Sequence, residues 1–210
     1  MNNKNIRAAF AATVLVVATL LGACGKNTDY PPPIRSTIEE SENSFGARYN
    51  FTLEEFTENI EEDMAQLDVA LSVDGWKIIN QGLIDDNGVK YSSYYNRAGD
   101  ITFTAAVEDE CGKVMNIGCG CESARLENKS FYNRFEKITS VTAQHAGGFS
   151  KSDLDFVMAL FQMLIDSKEN ELYYEKTLYI KSIDSSTTVL MIAPCSDEIK
   201  EKNQYQELTE

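Results

Sequence analysis

The sequence predicts an α+β fold, in which a mainly antiparallel sheet of about six strands carries two or three helices on one face. Apolar residues recur at helical spacing in three segments, and four short stretches in the middle of the chain alternate between apolar and polar residues. The turns between these stretches are too short for the crossovers that parallel strands need. Because each helix has one apolar stripe to bury, we expect a two-layer sandwich whose second sheet face meets solvent or a partner.

The first predicted helix begins at Thr52, where Thr52 and Glu55 form a capping-box pattern. Its apolar stripe follows at steps of three or four residues through Phe56, Ile60, Met64, Leu67 and Leu71. The opposite face carries Glu58, Glu61 and Glu62. Such a face is either a docking surface for a basic partner or simply a solvated helix surface.

Four strands are predicted after this helix, separated by turn signals such as Asp85-Asp86-Asn87-Gly88. They form a meander of Trp76–Ile84, Val89–Tyr95, Ile101–Glu108 and Lys113–Cys121. The third strand has the clearest alternation, which places Ile101, Phe103, Ala105 and Val107 on the core side.

Two further helices are predicted at Ser130–Ala146, ended by Gly147-Gly148, and at Leu154–Ile165, which has the strongest apolar stripe. Strands at about Leu172–Ile183 and Thr187–Ala193 complete the sheet as a C-terminal hairpin. The residues after Cys195 are charged and nearly free of apolar side chains, so we expect a frayed tail over 197–210.

The N-terminal segment has the composition of a secretory signal. Lys4 and Arg7 precede the uncharged run Ala8–Leu20, which is too short to span a bilayer and ends at the small residues of Leu21-Gly22-Ala23-Cys24. This ending resembles the lipobox of bacterial lipoproteins, and the resemblance covers this segment alone.

The resemblance implies that Cys24 is acylated, with palmitate among its acyl groups, and becomes the mature N-terminus. The chain would then be anchored in the cell membrane on the periplasmic or extracellular side, with the outer membrane favoured in a Gram-negative cell because Gly25 follows the cysteine. The expected organisation is a signal peptide over 1–23, a tether over 24–45 that contains Pro31, Pro32 and Pro33, and a single domain over 46–196.

The chain is acidic, with 33 Asp and Glu against 19 Lys and Arg and a formal charge of −14. Loss of Lys4 and Arg7 with the signal peptide would change this charge to −16. Nucleic acid is excluded as a partner because both surfaces are negative. The charge suits a basic envelope protein, and it equally serves solubility.

No motif for a cofactor, a phosphate or a hydrolytic triad occurs, and the single histidine, His145, lies where a helix-capping role explains it. We therefore expect neither an enzyme nor a resident cofactor or metal. Carboxylate chemistry stays open, because an acidic sequence does not show which carboxyl groups have raised pKa values.

Four cysteines follow the lipobox, namely Cys111, Cys119, Cys121 and Cys195. Outside the cytosol an even number predicts at least one disulfide. Cys119 and Cys121 share one side of a strand, so a soft-metal site is the alternative. A tight hairpin with Cys111 at its tip would hold Cys119 about 25 Å away, beyond the ~7 Å limit for a bond, so either the hairpin is shorter or Cys111 pairs elsewhere.

Tyrosines concentrate on two predicted strands, where they are either ordinary strand residues or interface residues. The candidates for a partner surface on the uncovered sheet face are Tyr91, Tyr94, Tyr95, Tyr173 and Tyr179. The first hypothesis is a lipid-anchored interaction or inhibitor module, comparable with immunity lipoproteins. A small-ligand or soft-metal binding protein that uses Cys119 and Cys121 is the second hypothesis, and a carboxylate enzyme is the third.

Overall fold

The computed structural model describes residues 30–205. The predicted signal peptide Met1–Ala23 and the acylation site Cys24 lie outside these residues. Within them, no helix has both the length and the apolar character needed to cross a membrane.

Seven strands form one antiparallel sheet. The N-terminal meander consists of β3 (Lys77–Ile84), β4 (Lys90–Ala98), β5 (Ile101–Glu108) and β6 (Val114–Glu122). The C-terminal meander consists of β7 (Glu171–Tyr174), β8 (Thr177–Ile183) and β9 (Thr187–Pro194). The strand order in the sheet is β3-β4-β5-β6-β9-β8-β7. A separate two-stranded sheet consists of β1 (Ile38–Glu40) and β2 (Ala47–Tyr49).

Four helices occur in the described part of the chain: α1 (Leu53–Ala65), α2 (Lys129–Gly147), α3 (Leu154–Asp166) and α4 (Asp197–Asn203). The first three form a layer in which α2 packs between α1 and α3. This layer covers one face of the sheet: Thr142 of α2 lies 3.3 Å from the Cys119 thiol of β6, and the Phe161 ring of α3 meets Tyr179 of β8 edge to face at 5.6 Å. The predicted α+β two-layer fold is confirmed.

The side chains of β5 alternate between the two faces of the sheet as predicted. Ile101, Phe103, Ala105 and Val107 are all buried, and they face the helices because Phe103 pairs with Cys119. Residues opposite each other in an antiparallel pair share a face, so the pairing register extends this assignment to every strand.

Helix α1 begins as predicted and ends earlier. Thr52 accepts a hydrogen bond from the Glu55 amide, and the Glu55 carboxylate accepts one from the Thr52 amide at 2.7 Å. The chain then turns through Asp68 with a φ of 56°. Leu71 is buried although it lies after the end of the helix. Its spacing fits the helical stripe, and the helix predicted from that spacing was therefore too long.

The folded body begins before the predicted boundary at residue 46. The Ile34 amide donates to the Gly148 carbonyl at 2.9 Å, and the Thr37 hydroxyl donates to the Ala146 carbonyl at 2.5 Å, so this segment is bound to the end of α2. The β1–β2 hairpin follows, and Asn43 in its turn is fully buried. Residues 34–45, predicted as tether, therefore belong to the fold, because they are hydrogen-bonded to the end of α2 and within the β1–β2 hairpin.

The predicted frayed tail contains helix α4. Ser196 caps it by accepting from the Ile199 amide at 3.3 Å. Ile199 and Tyr205 pack against a buried cluster of Tyr173, Leu178 and Cys195. These two side chains, together with the hydrogen bond from the Tyr173 hydroxyl to Asp197, hold an otherwise charged segment against the sheet.

The strand predicted over residues 172–183 is two strands, β7 and β8, joined by Glu175 and Lys176. Both turn residues have positive φ values, 47° and 59°. A two-residue hairpin of this kind normally carries Asn-Gly, since most residues with a Cβ are strained there. Sequence reasoning missed the turn because neither residue is a usual turn former.

Lys181 on β8 binds the backbone carbonyl groups at the C-terminal end of α3. Its ammonium group donates to three carbonyl oxygens at the end of this helix, those of Leu164 at 2.6 Å, Ile165 at 3.2 Å and Ser167 at 2.5 Å. Although burial lowers the pKa of Lys181, the cation occupies the negative end of the helix dipole, where it is favourable.

We predict that Lys176→Gly stabilises the protein by about 1 kcal/mol, because glycine adopts positive φ without the strain of a Cβ. Urea denaturation followed by circular dichroism measures the change. Lys168→Gly, at an exposed position without a positive φ, is the control and should give no gain. An unchanged or lower unfolding free energy for Lys176→Gly would contradict the assigned turn.

Candidate functional site

The sheet face opposite the helix layer is covered at one end and open over its centre. Helix α4 and the Phe45 region cover the end of this face near Tyr173. At another corner of the face, the Arg48 guanidinium forms an ion pair with the Glu108 carboxylate at 2.9 Å. We call the remaining surface the open face. From the pairing register, its residues are Tyr91, Ser93, Tyr95, Arg97, Thr102, Thr104, Asn116, Gly118, Gly120, Thr187, Val189 and Met191.

A shallow groove of about 340 Å³ lies on the open face. Gly120 forms part of its floor, between Thr102 of β5 and Val189 of β9. A Cβ at Gly120 would come within 3.2 Å of the Val189 side chain, and one at Gly118 within 2.9 Å of the Thr104 hydroxyl. The glycines of β6 therefore keep the centre of the open face low, and larger residues there would crowd their neighbours.

Charged side chains line one end of this groove. Arg125 forms an ion pair with Asp100 at 2.6 Å and a longer one with Glu122 at 3.6 Å, and its guanidinium lies 5.8 Å from the centre of the Phe131 ring. These pairs are solvent-exposed, so they contribute little to stability. Arg97 contributes a further cation at the same end.

Of the predicted tyrosines, Tyr91 and Tyr95 lie on the open face and are half-buried. Tyr94 pairs with Ala105 and so belongs to the helix side of the sheet, where it is half-buried near its edge. The structure thus brings two of the five candidate tyrosines together on one accessible surface.

The other two candidates do not belong to an accessible surface. Tyr179 has an exposed fraction of 0% because it packs beneath Phe161 of α3. Tyr173 is 3% exposed, and its hydroxyl donates to Asp197 of α4 at 2.8 Å. The prediction was wrong for both, since it treated β7 and β8 as one strand and α4 as a frayed tail.

The acidic candidates Glu58, Glu61 and Glu62 are exposed on α1 and form no ion pair with residues 30–205. They belong to the helix layer, on the far side of the sheet from Tyr91 and Tyr95. A protein that contacts the open face therefore cannot contact these carboxylates with the same surface.

His145 connects two helices. Its Nε2 atom lies 2.8 Å from Asp63 on α1, and the other oxygen of Asp63 accepts from Lys151 at 2.8 Å. The bonds from Lys151 and His145 hold the pKa of Asp63 below its usual value despite burial. The histidine sits in the last turn of α2, as predicted, and it stabilises the helix layer rather than serving the groove.

The four described cysteines carry free thiols. Cys119 and Cys121 point to the same side of β6, as predicted, but that side lies under the helices and both are buried. Cys195 belongs to the cluster on the opposite face, whereas Cys111 is exposed in the β5–β6 turn. The structure supplies no disulfide pairing, and a disulfide in the exported protein stays a prediction.

Burial raises the pKa of Cys119 to about 12 and that of Cys121 to about 11, because desolvation disfavours the thiolate. Among residues 30–205, no three His, Cys, Asp or Glu side chains come together in a metal-binding group.

Sequence reasoning missed the groove residues. The strand alternation placed Thr102 and Thr104 on the outer side of β5, which is one available signal. Gly118 and Gly120 carry no sequence signal that marks them as part of a groove. Their role depends on Val189 of β9, which pairs with β6 across more than 60 residues of sequence, and no local pattern predicts that pairing.

No protein-family model, no curated protein and no solved structure matches this chain. The open face and its chemistry therefore carry the functional argument.

We predict that, of the four described thiols in the reduced native protein, Cys111 alone reacts rapidly. The other three are shielded by packing, and a thiolate is the reacting species. Mass spectrometry after brief maleimide labelling locates the label, and fast labelling of Cys119 would contradict its burial. If the predicted disulfide forms in the exported protein, unfolding it without reductant should leave at most two of the four thiols free to label.

Proposed function

We propose that this chain is a lipid-anchored protein-interaction module of the cell envelope, which binds a basic protein in the manner of an inhibitor or immunity protein. The observation that carries the proposal is the open face. The sheet is buried on one side by three helices, and on its other side it carries the half-buried Tyr91 and Tyr95. Tyr95 pairs with Thr104, which lines the groove, and Tyr91 lies further along β4. Tyrosine favours interfaces, because it combines a large apolar ring with a polar end.

The charge of the chain supports a basic partner. Beyond the net charge of −14, the turns at the ends of the sheet strands carry exposed acidic residues, which surround the open face. They are Asp86, Asp100, Asp109, Glu110 and Asp184. Arg97 and Arg125 add two cations at one end of the groove, but the acidic residues outnumber them. The surrounding negative charge therefore attracts a cationic protein at long range.

The acidic surface of α1 has a different role from the open face. Since Glu58, Glu61 and Glu62 lie on the opposite layer, they contribute to the long-range field and not to the contact. The alternative is that α1 is itself the docking surface, in which case the open face contributes nothing. Rate measurements separate the two, because contact residues change dissociation and distant charges change association.

Membrane anchoring through Cys24 is the second part of the proposal. The lipobox resemblance supports this anchoring, and a tethered domain would bind its partner at the membrane surface. The segment available as a tether is shorter than the sequence predicted, because the chain is bound to the body from Ile34 onward.

We predict that a photo-crosslinking residue at Tyr95 of the full-length chain, in intact cells, captures a protein of net positive charge. The same residue at Tyr132, which is half-buried on α2, is the control and should not capture it. Against this protein, Tyr91→Ala with Tyr95→Ala should raise the dissociation rate by about tenfold or more, because interface tyrosines are frequent hot spots.

The salt dependence gives the complementary result. Association of the wild type should slow as salt rises, and reversal of Glu58, Glu61 and Glu62 to lysine should leave the dissociation rate unchanged. Capture from Tyr132 alone, an acidic partner, or faster dissociation of the α1 variant would contradict the open face as the contact surface.

A further inference from the structure

The two edge strands of the seven-stranded sheet differ in how far they are exposed to solvent. At one edge, β7 is covered: Leu172, Tyr173 and Tyr174 are buried, and Phe149 stacks on Tyr174. At the other edge, seven of the eight residues of β3 are exposed, and only Leu83 is half-buried. No element among residues 30–205 pairs with the outer side of β3. Its outward backbone groups are therefore free to pair with another strand.

The side chains of β3 are unusual for a free edge. Ile78, Ile79 and Ile84 are 46%, 52% and 64% exposed, and they are three of the five large apolar residues that the described chain exposes. Natural edge strands commonly discourage pairing with charged residues, proline or a β-bulge. Between Ile78 and Ile84, β3 has no charged residue and no proline, and its irregularity is the shifted pairing with β4. An apolar, unpaired edge of this kind is typical of a strand that joins another chain.

The arrangement of β3 about Gln81 is self-complementary. Ile78 and Ile84 lie three residues on either side of it, and both face the helix side, since their partners on β4 are four residues apart. Two antiparallel copies centred on Gln81 would thus place Ile78 of one copy opposite Ile84 of the other. The cationic Lys77 at the start of β3 would meet Asp85 and Asp86 just after its end.

The β3–β4 ladder is interrupted around this axis. The pairing shifts between Ile78 and Leu83, where Gly82 has a φ of 64°. A two-fold axis at Gln81 brings Ile78 and Ile84 of the regular ends together, whereas Leu83 would oppose Ile79 within the interruption.

We propose that two copies of this chain associate through their β3 strands, paired antiparallel about a two-fold axis near Gln81. The two seven-stranded sheets then form one continuous sheet, the isoleucines form a shared apolar ridge on the helix side, and the open face of each copy stays accessible. Because each copy is strongly negative, screening should strengthen this association as salt rises, whereas it should weaken binding of a basic protein.

Cysteine crosslinking of the full-length chain in membranes tests the proposal. In an antiparallel pair, residues on the axis have Cα atoms about 4.5 or 5.5 Å apart, within the range of about 4.4–6.8 Å that a disulfide needs. In a Cys111→Ser background, Gln81→Cys should give a band of twice the monomer mass on a non-reducing gel after mild oxidation. Glu61→Cys, exposed on α1, is the matched control and should give none.

A second substitution tests the apolar contact. Adding Ile84→Asp to Gln81→Cys should remove most of the crosslinked band, because a charge then opposes Ile78 of the other copy, and the band of the parent variant should increase with salt. Three results would overturn the proposal: no band from Gln81→Cys, an equal band from Glu61→Cys, or a band that Ile84→Asp does not reduce. A crosslink to a protein of different mass would assign β3 to another partner and would also overturn it.

Discussion

Six residue pairs between β6 and β9, from Ile117 with Ile192 to Glu122 with Thr187, join two meanders that are otherwise separate sheets. The ladder closes a long segment that contains α2, α3 and the β7–β8 hairpin. Closing such a loop costs conformational entropy, which favourable burial must offset. The helix layer supplies that burial, because α2 and α3 pack on the side chains that β6, β8 and β9 present to it.

The same pairing produces the open face. Strand β6 presents Ile117 and Cys119 to the helices, so Gly118 and Gly120 necessarily face the other way, between the threonines of β5 and the apolar residues of β9. The register of β6 thus determines both the core packing and the shape of the groove. A shift of β6 by one residue would exchange them and bury glycines where the helices need apolar contact.

Much of the fold is local in origin, and that part was predictable. The capping box at Thr52, the alternation of Ile101 to Val107 and the apolar stripe of α3 each depend on neighbours in sequence. The missed features depend on contacts between distant residues. Ile34 and Thr37 are held by the end of α2, and α4 is held by Tyr173 and Leu178. The turn at Glu175 and Lys176 is imposed by strand pairing against the preference of its residues.

The candidate site divides in the same way. Alternation located Tyr91, Tyr95 and the outer threonines, whereas Tyr179 and Tyr173 could not be assigned without knowing that a turn separates them. Glu58, Glu61 and Glu62 were correctly placed on the exposed side of α1. Their distance from the tyrosines follows from the layer order, which no pattern within α1 reveals.

Native-state hydrogen exchange tests whether the β6–β9 ladder couples the two meanders. Peptides from β6 and β9, measured by mass spectrometry over a denaturant series, should exchange through one common opening with the free energy of global unfolding. Exchange of β7, β8 and β9 at a clearly lower free energy than β5 and β6 would show two independent sheets and would contradict this coupling.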